Sequence, residues 1–182
     1  MKVVTSYNDF EIPVNAMKKY QTIMQMVRNN NVKDEQFRRI YVGFYKVRRN
    51  LEFRNLYFEI LSSNLKKLRS FKEVLIEIYN GTGRIEPSFT SKLIATCDDH
   101  APIWDKYILE NLGYKSRFSK NKETRIEECI QLYQELCDWY IEYEMSDEGK
   151  KMISFFDKKY PEFITFSNTK KIDFILWSCR NE

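Results

Sequence analysis

Glycine and proline are scarce in this sequence, at five and four of 182 residues, where average usage gives roughly 13 and 9. Sandwiches and barrels spend both residues at nearly every turn, so the shortage excludes an all-β architecture. Histidine is almost absent. With His100 alone, Cys/His zinc sites and multi-histidine metal centres are excluded, and no metal or cofactor is expected. No run approaches the roughly 18 apolar residues of a membrane span. The stretch Met1 to Pro13 lacks the apolar core of a signal peptide, so a cytoplasmic location away from membranes is expected. Cys97, Cys129, Cys137 and Cys179 show no CxxC pairing and sit in apolar helical patterns. They read as reduced, buried thiols of a cytosolic protein rather than a disulfide frame. Gly-rich nucleotide loops and a Gly-x-Ser-x-Gly elbow are also missing. The carboxylate pairs Glu127/Glu128 and Glu142/Glu144 lack inward spacing for a metal.

Aromatic residues are plentiful (13 Phe, 12 Tyr and 3 Trp), which excludes a disordered chain. A chain of this length buries roughly 70% of its unfolded surface and needs no staple to fold. Apolar residues recur at helical spacing almost throughout. Met17, Tyr20, Met24 and Val27 line a helix from about Val14 to Asn29. Phe37, Ile40, Phe44, Val47 and Leu51 line a second, opened by Asp34, and a third runs from about Leu51 through Ile60 to Lys67. Ser70 with Glu73 forms a capping box for a helix to Tyr79. Asn80 to Gly83 ends that helix, and Ser88, after Pro87, caps the next one to about Cys97. After an aperiodic break, Asp105 caps a short helix that Gly113 terminates. A long amphipathic helix with Ile126, Ile130, Tyr133, Cys137 and Tyr140 on one stripe follows a basic loop. Ser146 opens another helix, stopping before Pro161, and a last helix covers about Thr169 to Cys179. The expectation is a single all-α domain over residues 1–182, with roughly nine helices and no strand.

Lys and Arg exceed Asp and Glu by 30 − 26 = 4, but the charge is segregated. From Arg28 to Lys72 twelve basic residues stand against Asp34, Glu35, Glu52 and Glu59, whereas from Glu123 to Glu162 eleven acids stand against five bases. Such a field suits one face that meets an anion and another that stays in solvent. Helical surfaces that merely differ in composition are the plain alternative. Arg38, Arg39, Lys46, Arg48, Arg49 and Arg54, with Lys115, Arg117, Lys120 and Lys122 of the basic loop, are candidates for a duplex-binding face.

Residues 70 to 113 stand apart. A helix, a Gly-x-Gly turn (Gly81, Thr82, Gly83), a second helix from Ser88, and a Pro-containing loop (Asp98 to Trp104) precede Asp105. This order resembles the helix-hairpin-helix DNA glycosylase superfamily. The stretch Ser88 to Ile94 followed by Pro102, Ile103, Trp104 and Asp105 is most similar to its archaeal 8-oxoguanine glycosylase branch. The resemblance covers about a quarter of the chain. It implies DNA as partner, a flipped base, and an aspartate at a helix start facing the flipped nucleotide, here Asp105. Bifunctional members carry a lysine nucleophile near the position of Ile85 in this sequence, so the resemblance implies a monofunctional enzyme that uses water. Lys92 is the nearest lysine, placed to reach a phosphate or to pair with Asp105, or else to bury its stem and snorkel.

The physics of these residues runs beside the resemblance. Gly81 and Gly83 let backbone approach a phosphate without a Cβ in the way, and the following helix start presents unpaired N–H groups to it. Thr82, Arg84, Ser88 and Thr90 are candidate side-chain donors; a plain αα-turn is the alternative. A carboxylate such as Asp105 can deprotonate an attacking water or stabilise charge developing on the sugar, though a simple N-cap is a common role for aspartate. Trp104, Phe89 and Tyr107 are candidates to stack an extruded base, and His100 to read a base edge or phosphate; core packing and solvent exposure are the respective alternatives. The expected function is a DNA glycosylase-like hydrolase, acting in repair or on modified bases such as those of phage DNA. The alternative is a non-catalytic helix-hairpin-helix module that binds DNA or protein.

Overall fold

The computed structural model describes residues 10–114 and 118–179. Among them the regular structure is entirely helical. The helices are α1 (Val14–Arg28), α2 (Glu35–Tyr45), α3 (Leu51–Lys66), α4 (Phe71–Thr82), α5 (Pro87–Cys97), α6 (Lys106–Asn111), α7 (Lys122–Met145), α8 (Asp147–Lys159) and α9 (Asn168–Ser178), with a 3-10 turn at Pro161–Phe163. None is long and apolar enough to cross a membrane. The caps explain many of the boundaries. Ser70 accepts the Glu73 amide while the Glu73 carboxylate reaches back to the Ser70 amide, closing the box. The Ser70 hydroxyl, donating to the Glu73 carboxylate at 2.6 Å, and then the Ser70 amide hold that carboxyl below its ordinary range. Ser146 accepts the amide of Gly149 at 3.0 Å at the start of α8, and Ser167 opens α9.

The chain forms two compact units, Pro13–Asp98 and Met1–Ile12 with Asp99–Glu182. We refer to them as the hairpin unit and the aspartate unit. In the hairpin unit α1 packs on α2, and α3, α4 and α5 pack on one another. Its core is aromatic: Phe37, Tyr41, Phe53, Tyr57, Phe58 and Phe89 are all buried. A buried tyrosine needs a partner for its hydroxyl. Here Tyr41 and Tyr57 meet oxygen to oxygen at 2.8 Å, and Tyr57 donates to the Phe89 carbonyl at 2.9 Å. In the aspartate unit α9 packs against α6, α7 and α8, with every residue from Thr169 to Leu176 buried. Residues 10–12 belong to this unit through the Ile12 amide, which donates to Tyr160 Oη, and Lys159 Nζ, which donates to the Phe10 carbonyl.

Three boundaries differ from the sequence expectation: α2 stops at Tyr45, short of Val47 and Leu51, because Lys46 takes the left-handed conformation at φ 55°, and two more differ at the hairpin. First, α4 runs to Thr82, so Gly81 is helical and only Gly83, at φ 67°, takes the left-handed conformation that ends the helix. Gly81 packs against α3, where an added Cβ would lie 2.3 Å from Leu56 Cδ2. Second, Glu86 rather than Ser88 is the N-cap of α5. Pro87 has the fixed φ and missing N–H that suit the first helical position, which puts Ser88 inside the first turn. Of the four cysteines, all free, Cys129 alone is fully buried; burial pushes the Cys97 and Cys129 thiols up to about 11.

Two of the glycines outside the hairpin make a paired prediction. A Cβ on Gly149 would meet the rigid Tyr143 carbonyl oxygen at 1.8 Å, at the tight α7–α8 junction. Gly43, within α2, has nothing within 4 Å of such a Cβ. Gly149→Ala is expected to destabilise by about 1–3 kcal/mol, and Gly43→Ala to stabilise by about 0.5–1 kcal/mol. Urea unfolding of the two variants checks the opposite signs.

Candidate nucleic-acid interface and aspartate site

The start of α3 and the end of α4 enclose a cleft of about 770 Å³ within the hairpin unit. Arg48, Arg49 and Arg84 line it together with Gly81 and Thr82, and Glu52 is the one acid on its wall. Arg84 lies 35 positions after the adjacent Arg48 and Arg49 in sequence, and folding brings the three to one cleft. α3 approaches α4 closely here, with the Leu56 side chain lying over Gly81. The N-terminus of α3 adds its partial positive charge, with Asn50 capping it by accepting the Phe53 amide at 3.1 Å.

The three arginines are held differently. Arg49 forms a two-pronged pair with Glu86, Nε to Oε1 at 2.9 Å and Nη2 to Oε2 at 3.1 Å. Its guanidinium lies 5.0 Å from the centre of the Phe89 ring. Arg48 and Arg84 are exposed. Glu86 takes up Nε and Nη2 of Arg49, so Arg48 and Arg84 present the forks that can meet phosphate oxygens bidentately.

The remaining hairpin residues have narrower roles. Thr82 Oγ1 donates to the Ile78 carbonyl and accepts the Arg84 amide, fixing the turn. The amide of Gly83 is bonded to the Tyr79 carbonyl at 2.7 Å. Thr90 is fully buried, with its hydroxyl donating to the Glu86 carbonyl at 2.9 Å. Ser88 is half-buried in the first turn of α5. Lys92 sets Nζ 3.4 Å from the carbonyl of Tyr45, the last residue of α2, and 5.5 Å from the Phe89 ring centre. Its ammonium therefore serves the C-terminal end of α2. Phe89 lies at 8% exposure, below both Arg49 and Lys92.

Asp105 belongs to the aspartate unit. It is the N-cap of α6, with extended backbone, and its Oδ1 accepts the Tyr107 amide at 2.9 Å. This bond uses one of the two carboxylate oxygens. Trp104 beside it is buried against Phe118, ring centres 5.9 Å apart. His100 is exposed and stands 3.7 Å from the Asp99 carboxylate. Tyr107 is half-buried, with Lys106 Nζ 5.9 Å from its ring centre. Lys120 and Lys122 are exposed, whereas Lys115 and Arg117 lie outside the described residues.

Sequence reasoning missed a cluster on α9. Lys170 and Asp173 form an ion pair at 2.6 Å with side chains 2% and 5% exposed, and Tyr140 donates to Asp173 at 2.7 Å. The available signal was two charges at helical spacing next to an otherwise apolar run, Phe174 to Trp177. Among the described residues no group of His, Cys, Asp and Glu is arranged to hold a metal ion. The chain matches no protein-family model, no curated protein sequence and no solved structure.

Proposed function

We propose that the chain binds the phosphate backbone of DNA through the arginine cleft of the hairpin unit. The observation that carries this reading is the convergence of Arg48, Arg49 and Arg84 on the α4–α5 connection. Glu86 restrains Arg49 and offsets part of its charge, so Arg48 and Arg84 carry most of the phosphate contact. Each phosphate neutralised releases condensed counterions, which makes affinity fall with salt.

The test is duplex binding by fluorescence anisotropy between about 50 and about 200 mM salt. Replacing Arg48, Arg49 and Arg84 by alanine should flatten the log–log salt slope by two to three, about one for each phosphate contact. At about 0.1 M salt this corresponds to a loss of on the order of a few hundred-fold. An unchanged slope in a folded triple variant contradicts the reading.

A second reading, base excision, is favoured by Asp105, which caps α6 through Oδ1 alone. In that reaction the carboxylate takes a proton from water and the hydroxide bonds to C1′ of the sugar. The glycosidic C–N bond breaks, and the base leaves with the bonding electrons and takes up a proton. Lys92, engaged at the end of α2, supports a hydrolase over a lyase that forms a Schiff base. A panel of duplexes carrying damaged and phage-type modified bases, scored for release after alkali, tests excision. A borohydride-trapped adduct would instead indicate a lysine nucleophile. Binding without release leaves the chain as a DNA-binding module.

A further inference from the structure

The segment between α5 and α6 that delivers Asp105 is irregular, yet its backbone is held at successive points by side chains of the aspartate unit. Ser167 Oγ donates to the Asp99 carbonyl. Thr169 Oγ1 donates to the His100 carbonyl at 3.2 Å, and Tyr133 Oη to the Pro102 carbonyl at 3.1 Å. The next contact is of another kind: Asp173 Oδ1 accepts the amide of Ile103, two residues before Asp105, at 3.4 Å.

Asp173 is itself clamped. Lys170 Nζ holds Oδ2 at 2.6 Å and Tyr140 Oη holds Oδ1 at 2.7 Å. An apolar side chain could fill the same space, but it could not accept the Ile103 amide. Burial holds the Asp173 carboxyl above its usual range despite the ammonium beside it. An ion pair that burial disfavours is a poor source of stability, and its use here is better accounted for by geometry. A hydrogen bond to a carboxylate fixed by two donors leaves the end of the loop little freedom to shift. From there the chain enters α6, where Asp105 turns one oxygen to the Tyr107 amide.

We infer that Asp173, clamped by Lys170 and Tyr140, is a positioning residue that fixes the loop end and thereby the carboxylate of Asp105. The inference rests on the base-excision reading for its functional consequence, although the positioning can be measured without it. Displacing a reacting group by about 1 Å costs on the order of a hundred-fold in rate.

Two double variants isolate the effect. Lys170→Met with Asp173→Asn removes both charges and keeps an oxygen that can accept the Ile103 amide. Lys170→Met with Asp173→Leu removes both charges and the acceptor. Amide hydrogen exchange at Ile103 and Tyr107 is compared in both, with thermal midpoints recorded alongside. The Asn pair should keep near-wild-type protection at both amides and near-wild-type base release. The Leu pair should lose protection at both and slow single-turnover release on the order of a hundred-fold, with duplex affinity unchanged. Equal Tyr107 protection in the two folded variants overturns the positioning role. If wild type releases no base from any duplex, excision fails, while the exchange contrast still decides the positioning. Should the Leu pair not fold, Tyr140→Phe removes one clamp with packing preserved. Reduced Ile103 protection supports the inference, and unaltered protection overturns it.

Discussion

Asp105→Asn should lower the single-turnover rate of base release by about 10²- to 10⁴-fold, the range expected on losing a general base, and leave duplex affinity unchanged. The amide oxygen of asparagine can still accept the Tyr107 amide that Oδ1 accepts now, and Asn and Asp are near-equal N-caps. What asparagine cannot do is take a proton from water. The variant should therefore melt with wild type, and loss of release would report chemistry rather than unfolding. Asp105→Ala forms the control. It loses the cap as well, at a cost of about 1 kcal/mol, so its activity should fall at least as far and its stability should fall too. If wild type releases base and Asp105→Asn releases it equally fast, Asp105 is a cap and nothing more.

The second large effect is on stability. Asp173→Ala should destabilise the protein by about 3–5 kcal/mol, because it strands the Lys170 ammonium in the interior. That side chain is 2% exposed, and Asp173 Oδ2 lies 2.6 Å from it. Replacing both members with apolar residues of similar size should cost less, since no buried charge is left unpaired and what is lost is the acceptor for the Tyr140 hydroxyl and the Ile103 amide. The contrast between single and double variants in urea unfolding separates a broken pair from lost packing.

The pH dependence follows from the same burial. Desolvation raises the Asp173 carboxyl, outweighing the ammonium, the Tyr140 hydroxyl and the Ile103 amide that act against it. A raised folded-state value means the native protein binds the proton more tightly than the unfolded chain. That contribution is fully present below the ordinary carboxylate range and is lost as pH rises through the raised value. On lowering the pH from about 7 to about 4, wild type should gain stability relative to the Lys170→Met, Asp173→Leu pair.

Much of this fold is legible in local sequence because helices announce themselves locally. Asp34, Ser70, Asp105 and Ser146 occupy the N-cap positions that their place before apolar periodicity assigns them. The hairpin is less legible. Gly81 reads as a breaker, but its missing side chain accommodates Leu56, 25 positions earlier, and no local pattern reports that approach. Pro87 shifts the start of α5 ahead of Ser88 in the way that proline at a first helical position does.

The candidate site divides along the same line. Arg48, Arg49 and Arg84 are each visible as basic residues, but their convergence depends on how α3 packs against α4. The clamp on Asp173 is a tertiary arrangement too: Tyr140 comes from α7, Lys170 from α9, and Ile103 from the loop. Charged residues beside an apolar helical run are the trace it leaves in sequence.

The most direct test is an NMR titration of the wild-type protein with a short duplex, following the Nε–H resonances of the arginine side chains. Saturable shifts at Arg48, Arg49 and Arg84, with smaller changes at Arg28 and Arg125, are the result expected of backbone binding in the cleft. Shifts confined to other arginines, or no saturable change at low salt, would contradict it.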